Sequence, residues 1–106
     1  MTTSLVEWQE NEFNEALKQE NLCVVEFSAP WCNACKITEP AVVEVAGNLP
    51  EAKFAKVDVS KNPGLASRMG VMSLPNILII VKGQVKEQII GAANKSKIDE
   101  KVRKYI

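Results

Sequence analysis

The chain has 106 residues, 46% of them hydrophobic, with thirteen basic residues against thirteen acidic ones and no histidine. That length suits one domain with an adequate core, taken as residues 1–106. A formal net charge of zero gives no electrostatic case for nucleic acid or an anionic membrane, and with the small size it fits a monomer. The N-terminal residues lack a basic stretch followed by an apolar one, and no later apolar run has the length of a membrane span, so a cytoplasmic location is expected.

In chain order, residues 4–6 suggest a short strand. Residues 10–19 read as a helix with Phe13, Ala16 and Leu17 on one face. Residues 22–27 form an apolar strand. From about Cys32 to Asn48 a second helix carries Ile37, Ala41, Val45 and Leu49 at four-residue steps, with Pro40 removing one of its hydrogen bonds. Residues 52–59 alternate as a strand, and Asn62-Pro63 reads as cap and first-turn proline of a short helix ending near Met69. Residues 77–81 and 85–90 are strands joined at Lys82-Gly83-Gln84. A last helix is capped by Asn94 or Ser96, with Ile98, Val102 and either Tyr105 or Ile106 along its apolar stripe. Strands alternating with helices and ending in a hairpin and a helix indicate an α/β fold, with a mixed sheet covered on both faces.

The chemistry-bearing motif is Cys32-Asn33-Ala34-Cys35, placed just after an apolar strand. If Cys32 opens a helix, positions i and i+3 share a face, and modest adjustment closes a disulfide. The unpaired N–H groups of a helix start favour a thiolate at Cys32, which makes it the expected nucleophile. Cys35, one turn in, is suited to resolve a mixed disulfide. Cys23 opens a buried strand and reads as a small core hydrophobe. With no histidine and a single pair of spaced cysteines, a closed zinc site lacks its four ligands, and only a metal or cluster shared between two chains is left open.

Residues 24–36 with Pro40, then Lys56-Val57-Asp58-Val59, Asn62-Pro63, Val71-Met72-Ser73-Leu74-Pro75, Gly83 and Gly91, run in an order that resembles the thioredoxin family along nearly the whole chain. The resemblance implies a thioredoxin fold: a central mixed sheet of about five strands flanked by about four helices. Between the cysteines the family mostly has Gly-Pro, and here Asn33-Ala34 departs from it. Ala34 restores an N–H that proline lacks, which favours the Cys32 thiolate and makes the reduction potential less negative. Loss of the rigid ring also alters the disulfide, and the sequence does not rank the two effects.

Glu26 is an acid in a strand that otherwise reads as buried on both faces, where desolvation raises its pKa. An edge position with the carboxylate in solvent is the alternative from the residues alone. The family usually has aspartate at this position, and the resemblance implies that Glu26 exchanges a proton with Cys35 through water; its extra methylene makes direct reach conceivable. Lys56 matches a lysine that opposes the carboxyl's pKa rise, against the alternative of a solvated strand lysine. An X–Pro bond is cis in only about 5–6% of cases, so Pro75 alone reads as a trans turn proline. The resemblance implies instead a cis proline facing the cysteines, with Leu74 offering its backbone to an extended substrate. Asn76 departs from the usual threonine and changes the loop's hydrogen bonds. Trp31, Leu74, Gly91 and Ala92 are expected to line an apolar substrate patch, joined by Val71 and Met72 unless these two pack in the core.

The function implied is a thiol–disulfide oxidoreductase that reduces disulfide-containing proteins through the Cys32/Cys35 pair. It needs no bound cofactor and is returned to the dithiol by a flavin-dependent thioredoxin reductase. Two alternatives stay open: a specialised thiol oxidant or isomerase, and a binding subunit of the same fold whose cysteines are incidental.

Overall fold

Every position from Leu22 to Phe27 except Glu26 is apolar, and the computed structural model, which describes residues 5–106, puts this run at the centre of the sheet. The elements are β1 (Val6–Glu7), α1 (Glu10–Gln19), β2 (Leu22–Ser28), α2 (Asn33–Asn48), β3 (Lys53–Asp58), α3 (Pro63–Arg68), β4 (Asn76–Val81), β5 (Gln84–Ile90) and α4 (Lys95–Arg103). They form a five-stranded sheet in the order β1-β3-β2-β4-β5. β1, β3 and β2 are parallel, and β4 and β5 join antiparallel.

Because side chains alternate across a strand, β2 feeds two cores. Leu22 and Val24 pack with Val42 and Val45 of α2, Ile77 and Ile79 of β4, and Ile98 and Val102 of α4. Cys23, Val25 and Phe27 pack on the opposite face with Phe13 of α1 and Leu65 of α3. Glu26 falls in the first alternation set and so lies beneath α2 with both neighbouring strands in place, which removes the edge-strand alternative.

The first expected strand starts two residues later, at Val6, and Ser4 lies outside the described residues. The expected stripe of α2 is corrected at Ile37, while Val45 and Leu49 are buried and Ala41 packs against the core. The buried side chains within the helix are Cys35, Thr38, Val42 and Val45, whereas Ile37 is 75% exposed. Four-residue steps advance about 400° around a helix of 3.6 residues per turn, so a strict i+4 series drifts about 40° per step, while alternating steps of three and four keep to one face. Asn62 stands at the cap position of α3 but makes no side-chain cap bond. Its Oδ1 instead accepts the Glu10 N–H at 3.1 Å, and its Nδ2 donates to Gln9 Oε1 at 3.0 Å, tying the start of α1 to α3. Asn94 rather than Ser96 caps α4, accepting the Lys97 N–H at 2.9 Å. The β4–β5 turn has positive φ at both Lys82 (50°) and Gly83 (82°), as a tight two-residue hairpin requires.

Candidate functional site: a dithiol at a helix start

The parallel strand β2 ends at the sheet's upper edge, and the chain turns through Ala29 and Pro30 into α2. Cys32 is the N-cap of that helix. Its N–H donates to Ala29 O at 3.1 Å, and its Sγ accepts the Cys35 N–H at 3.1 Å, so the sulfur occupies the place that a serine or aspartate oxygen takes at ordinary helix starts. Cys32 and Cys35 are disulfide-bonded, with Cα atoms 5.3 Å apart. Cys32 is half-buried and Cys35 buried, so attack from solvent reaches Cys32 first.

On β2, on the sheet face that α2 covers, Glu26 is 0% exposed, and neither carboxyl oxygen has a hydrogen-bond partner among the described residues. The direct bond to Cys35 considered for its longer side chain is not made in this disulfide form. Burial, reinforced by the negative charge of Glu39 and opposed by Lys56, pushes the Glu26 carboxyl up to about 8. Lys56 is the register partner of Glu26 on β3. Its ammonium lies 3.2 and 3.4 Å from the two carboxylate oxygens of Glu39 on α2, so the expected influence on Glu26 is exerted without an ion pair between them. A cleft of about 220 Å³ lined by Ser28, Ala29, Cys35, Lys36, Glu39 and Lys56 brings the buried Cys35 and the Glu39–Lys56 pair to one opening.

The Leu74–Pro75 bond is cis, as the resemblance implies. Pro75 O accepts the Gly91 N–H at 2.9 Å, and Gly91, at φ 88°, takes a left-handed conformation that a side chain would strain. Asn76 is buried. Its Nδ2 donates to Ser73 O at 3.3 Å and its Oδ1 accepts from Gln88 Nε2 at 3.0 Å, so the departure from threonine supplies a side-chain tie between this loop and β5. Trp31 is 69% exposed and Met72 95%, with Leu74 and Gly91 half-buried and Ala92 exposed. Val71 packs on the core of the α1 face, and with Met72 and Leu74 it borders an open apolar groove of about 500 Å³ against Val59, Pro63 and Ala66.

Sequence reasoning missed two residues of this region. Ile37, expected in the core, borders a shallow groove with Thr38, Ala41 and Ala92. Glu39 was passed over, although it lies four residues after Cys35 and so on the same side of the helix. Cys23 is buried, its thiol is pushed up to about 11 chiefly by desolvation, and it takes no part in the site.

A closable dithiol with one accessible sulfur, set in an exposed apolar surface, defines a thiol–disulfide exchange protein. Comparison with known proteins agrees. The family model described as Thioredoxin matches residues 4–104. Thioredoxin H2 of Arabidopsis thaliana is 36% identical over 102 residues, covering 96% of this chain and 75% of that protein. The thioredoxin of Listeria monocytogenes is 40% identical over 88 residues, covering 82% of this chain and 85% of its own length. Among solved structures, oxidised mitochondrial thioredoxin 3 from Saccharomyces cerevisiae superposes with a TM-score of 0.87 at 28% identity, covering 94% of each chain. The chain belongs to the thioredoxin family and is a thiol–disulfide oxidoreductase acting on disulfide-containing proteins.

Proposed function

We propose that the protein is a reductant of protein disulfides, an electron carrier that needs no bound cofactor because the dithiol itself holds the two electrons. The Cys32 thiolate attacks one sulfur of a substrate disulfide, forming a mixed disulfide and releasing the other sulfur as a thiolate. Cys35 gives its proton to the ionised Glu26 carboxylate, through water in the cleft, and attacks Cys32 Sγ. The Cys32–Cys35 bond forms and the second substrate thiolate leaves. In the reverse sense, when a flavin-dependent thioredoxin reductase restores the dithiol, protonated Glu26 returns the proton to Cys35 as it leaves. A carboxyl pushed to about 8 is populated in both forms near neutrality, as an exchangeable proton requires. Lys56 moderates that value. Trp31, Leu74, Pro75 and Gly91 hold the substrate, the Leu74 backbone pairing with an extended segment. We place the reaction in a reducing compartment, the cytosol, and the protein in it as a monomer.

One observation carries the direction of the reaction. Among the described residues a single backbone N–H donates to Cys32 Sγ, and no cationic side chain bonds to it. A strong oxidant is one whose reduced form is stabilised; with this one donor carried over from the disulfide form, the Cys32 thiolate is lightly stabilised and gives up its electrons readily. The test is turnover of a model protein disulfide with NADPH and a thioredoxin reductase. Catalytic reduction that is lost in Cys32→Ser supports the reading. Activity only as an oxidant of reduced proteins, or binding that survives Cys32→Ser/Cys35→Ser, would assign the chain to one of the two alternatives.

A further inference from the structure

Lys56 and Glu26 are register partners on adjacent parallel strands, with side chains on the same face of the sheet. A buried carboxyl beside a lysine in that position ordinarily takes the ammonium as its counterion. Here the ammonium has gone to Glu39, at 3.2 and 3.4 Å, and both Glu26 oxygens are left without a partner among the described residues. The pair bridges β3 and α2 across the cleft that reaches Cys35.

We propose that Glu39 is a positioning residue for the redox reaction: by holding the Lys56 ammonium it withholds that cation from Glu26 and keeps the carboxyl buried under α2 available as a proton donor to Cys35. The proposal rests on the proton-carrying reading of Glu26 given above. The surroundings leave few competitors. β4 presents the apolar Ile77 beside Glu26, and α2 presents Cys35 and Thr38, both buried, with Glu39. Of the other charged groups lining the cleft, Glu7 is engaged by Lys61 at 3.2 Å, Asp58 accepts the Ser60 N–H at 2.8 Å, and Lys36 is exposed at its mouth. Glu39 and Lys56 are therefore the charges that decide the state of Glu26. Neither touches the reacting sulfurs by hydrogen bond, so Glu39 acts through Lys56 and Glu26.

The experiment is a carboxyl-carbon NMR titration of Glu26 in the oxidised protein, in wild type, Glu39→Gln, Lys56→Met and the double variant. Glu39→Gln removes a like charge and releases Lys56, and the Glu26 midpoint should fall by about 1–2 pH units. Lys56→Met should raise it, and in that background Glu39→Gln should lose at least half of its effect. The pH profile for opening the Cys32–Cys35 disulfide by thioredoxin reductase is the second readout, and its Glu26-dependent limb should move acid with Glu39→Gln. An unmoved midpoint, or an equal shift with and without Lys56, would overturn the proposal. If Glu26→Gln leaves the pH profile as in wild type, the proton role of Glu26 fails, while the titration still decides what Glu39 does to it.

Discussion

Replacing Glu26 with glutamine removes the ionisation but keeps the shape, and should abolish the fall of stability with rising pH. In the folded chain burial pushes the carboxyl up to about 8, from an ordinary 4.5. Between those pH values the folded protein holds a proton that the unfolded chain has released. Stability then falls as pH rises, because the native state binds more protons. At 1.36 kcal/mol per pH unit the fall amounts to roughly 5 kcal/mol once pH exceeds 8, and to roughly 3 kcal/mol by pH 7. The window is favourable for isolating this group. Asp58 and Glu87 are held below the ordinary carboxylate range, so their stabilisation is lost only in acid. Cys23 and Tyr105 are raised and act only in alkali, and the disulfide-bonded cysteines do not titrate. Equilibrium unfolding of the oxidised protein in guanidinium, followed by circular dichroism from pH 5 to 8.5, should give a declining curve for wild type and a flat one for Glu26→Gln. The curves should start within about 1–2 kcal/mol of each other at pH 5, the cost of an imperfectly bonded buried amide, and the variant should be the more stable protein at pH 8. Glu26→Leu should also be flat. Wild-type stability that is constant or rising across this range would refute the argument that Glu26 is buried and unpaired.

Other residues give separate tests. Cys35→Ser should accumulate a mixed disulfide between Cys32 and a substrate protein, seen as a mass adduct, whereas Cys32→Ser should form none. Ala34→Pro removes from the first turn of α2 an N–H that acts on Cys32 through its dipole and not through a hydrogen bond to Sγ, and the potential measured against a thiol buffer should become more negative by roughly 30 mV, the equivalent of about 1.4 kcal/mol; a shift toward less negative values would show that the ring's effect on the disulfide outweighs the lost dipole. Ile37→Lys should change stability by less than about 0.5 kcal/mol, since the side chain is exposed. Val42→Ala, on the buried face of the same helix, should cost about 1–3 kcal/mol in the same denaturation assay.

The sheet was legible because β2 and β4 are short apolar runs bounded by turn residues, and because Lys82-Gly83 marks the hairpin between β4 and β5. The strand-like position of Glu26 among apolar neighbours made its burial legible too. The face of α2 was harder. Thr38 and Cys35 complete its buried stripe, and neither counts as strongly apolar in a periodicity reading, so Ile37 was drawn into a stripe whose other members, Ala41, Val45 and Leu49, do face the core. The Glu39–Lys56 pair joins residues 17 apart on different elements, and only the packing of α2 over β3 brings them together. The same holds for the side-chain tie from Gln88 to Asn76: the departure from threonine was visible, but its partner depends on the β4–β5 register.

The most direct test of the central claim is the reduction potential of the Cys32–Cys35 pair, obtained by equilibration in a thiol buffer with mass tagging of free thiols in denaturant. Thioredoxins lie near about −270 mV. The protein should fall within a few tens of mV of that value, on the less negative side, with Cys23 alone tagged in the oxidised form. A potential above about −200 mV, in the range of oxidants and isomerases, or a pair that does not form the disulfide, would contradict the assignment as a reductant.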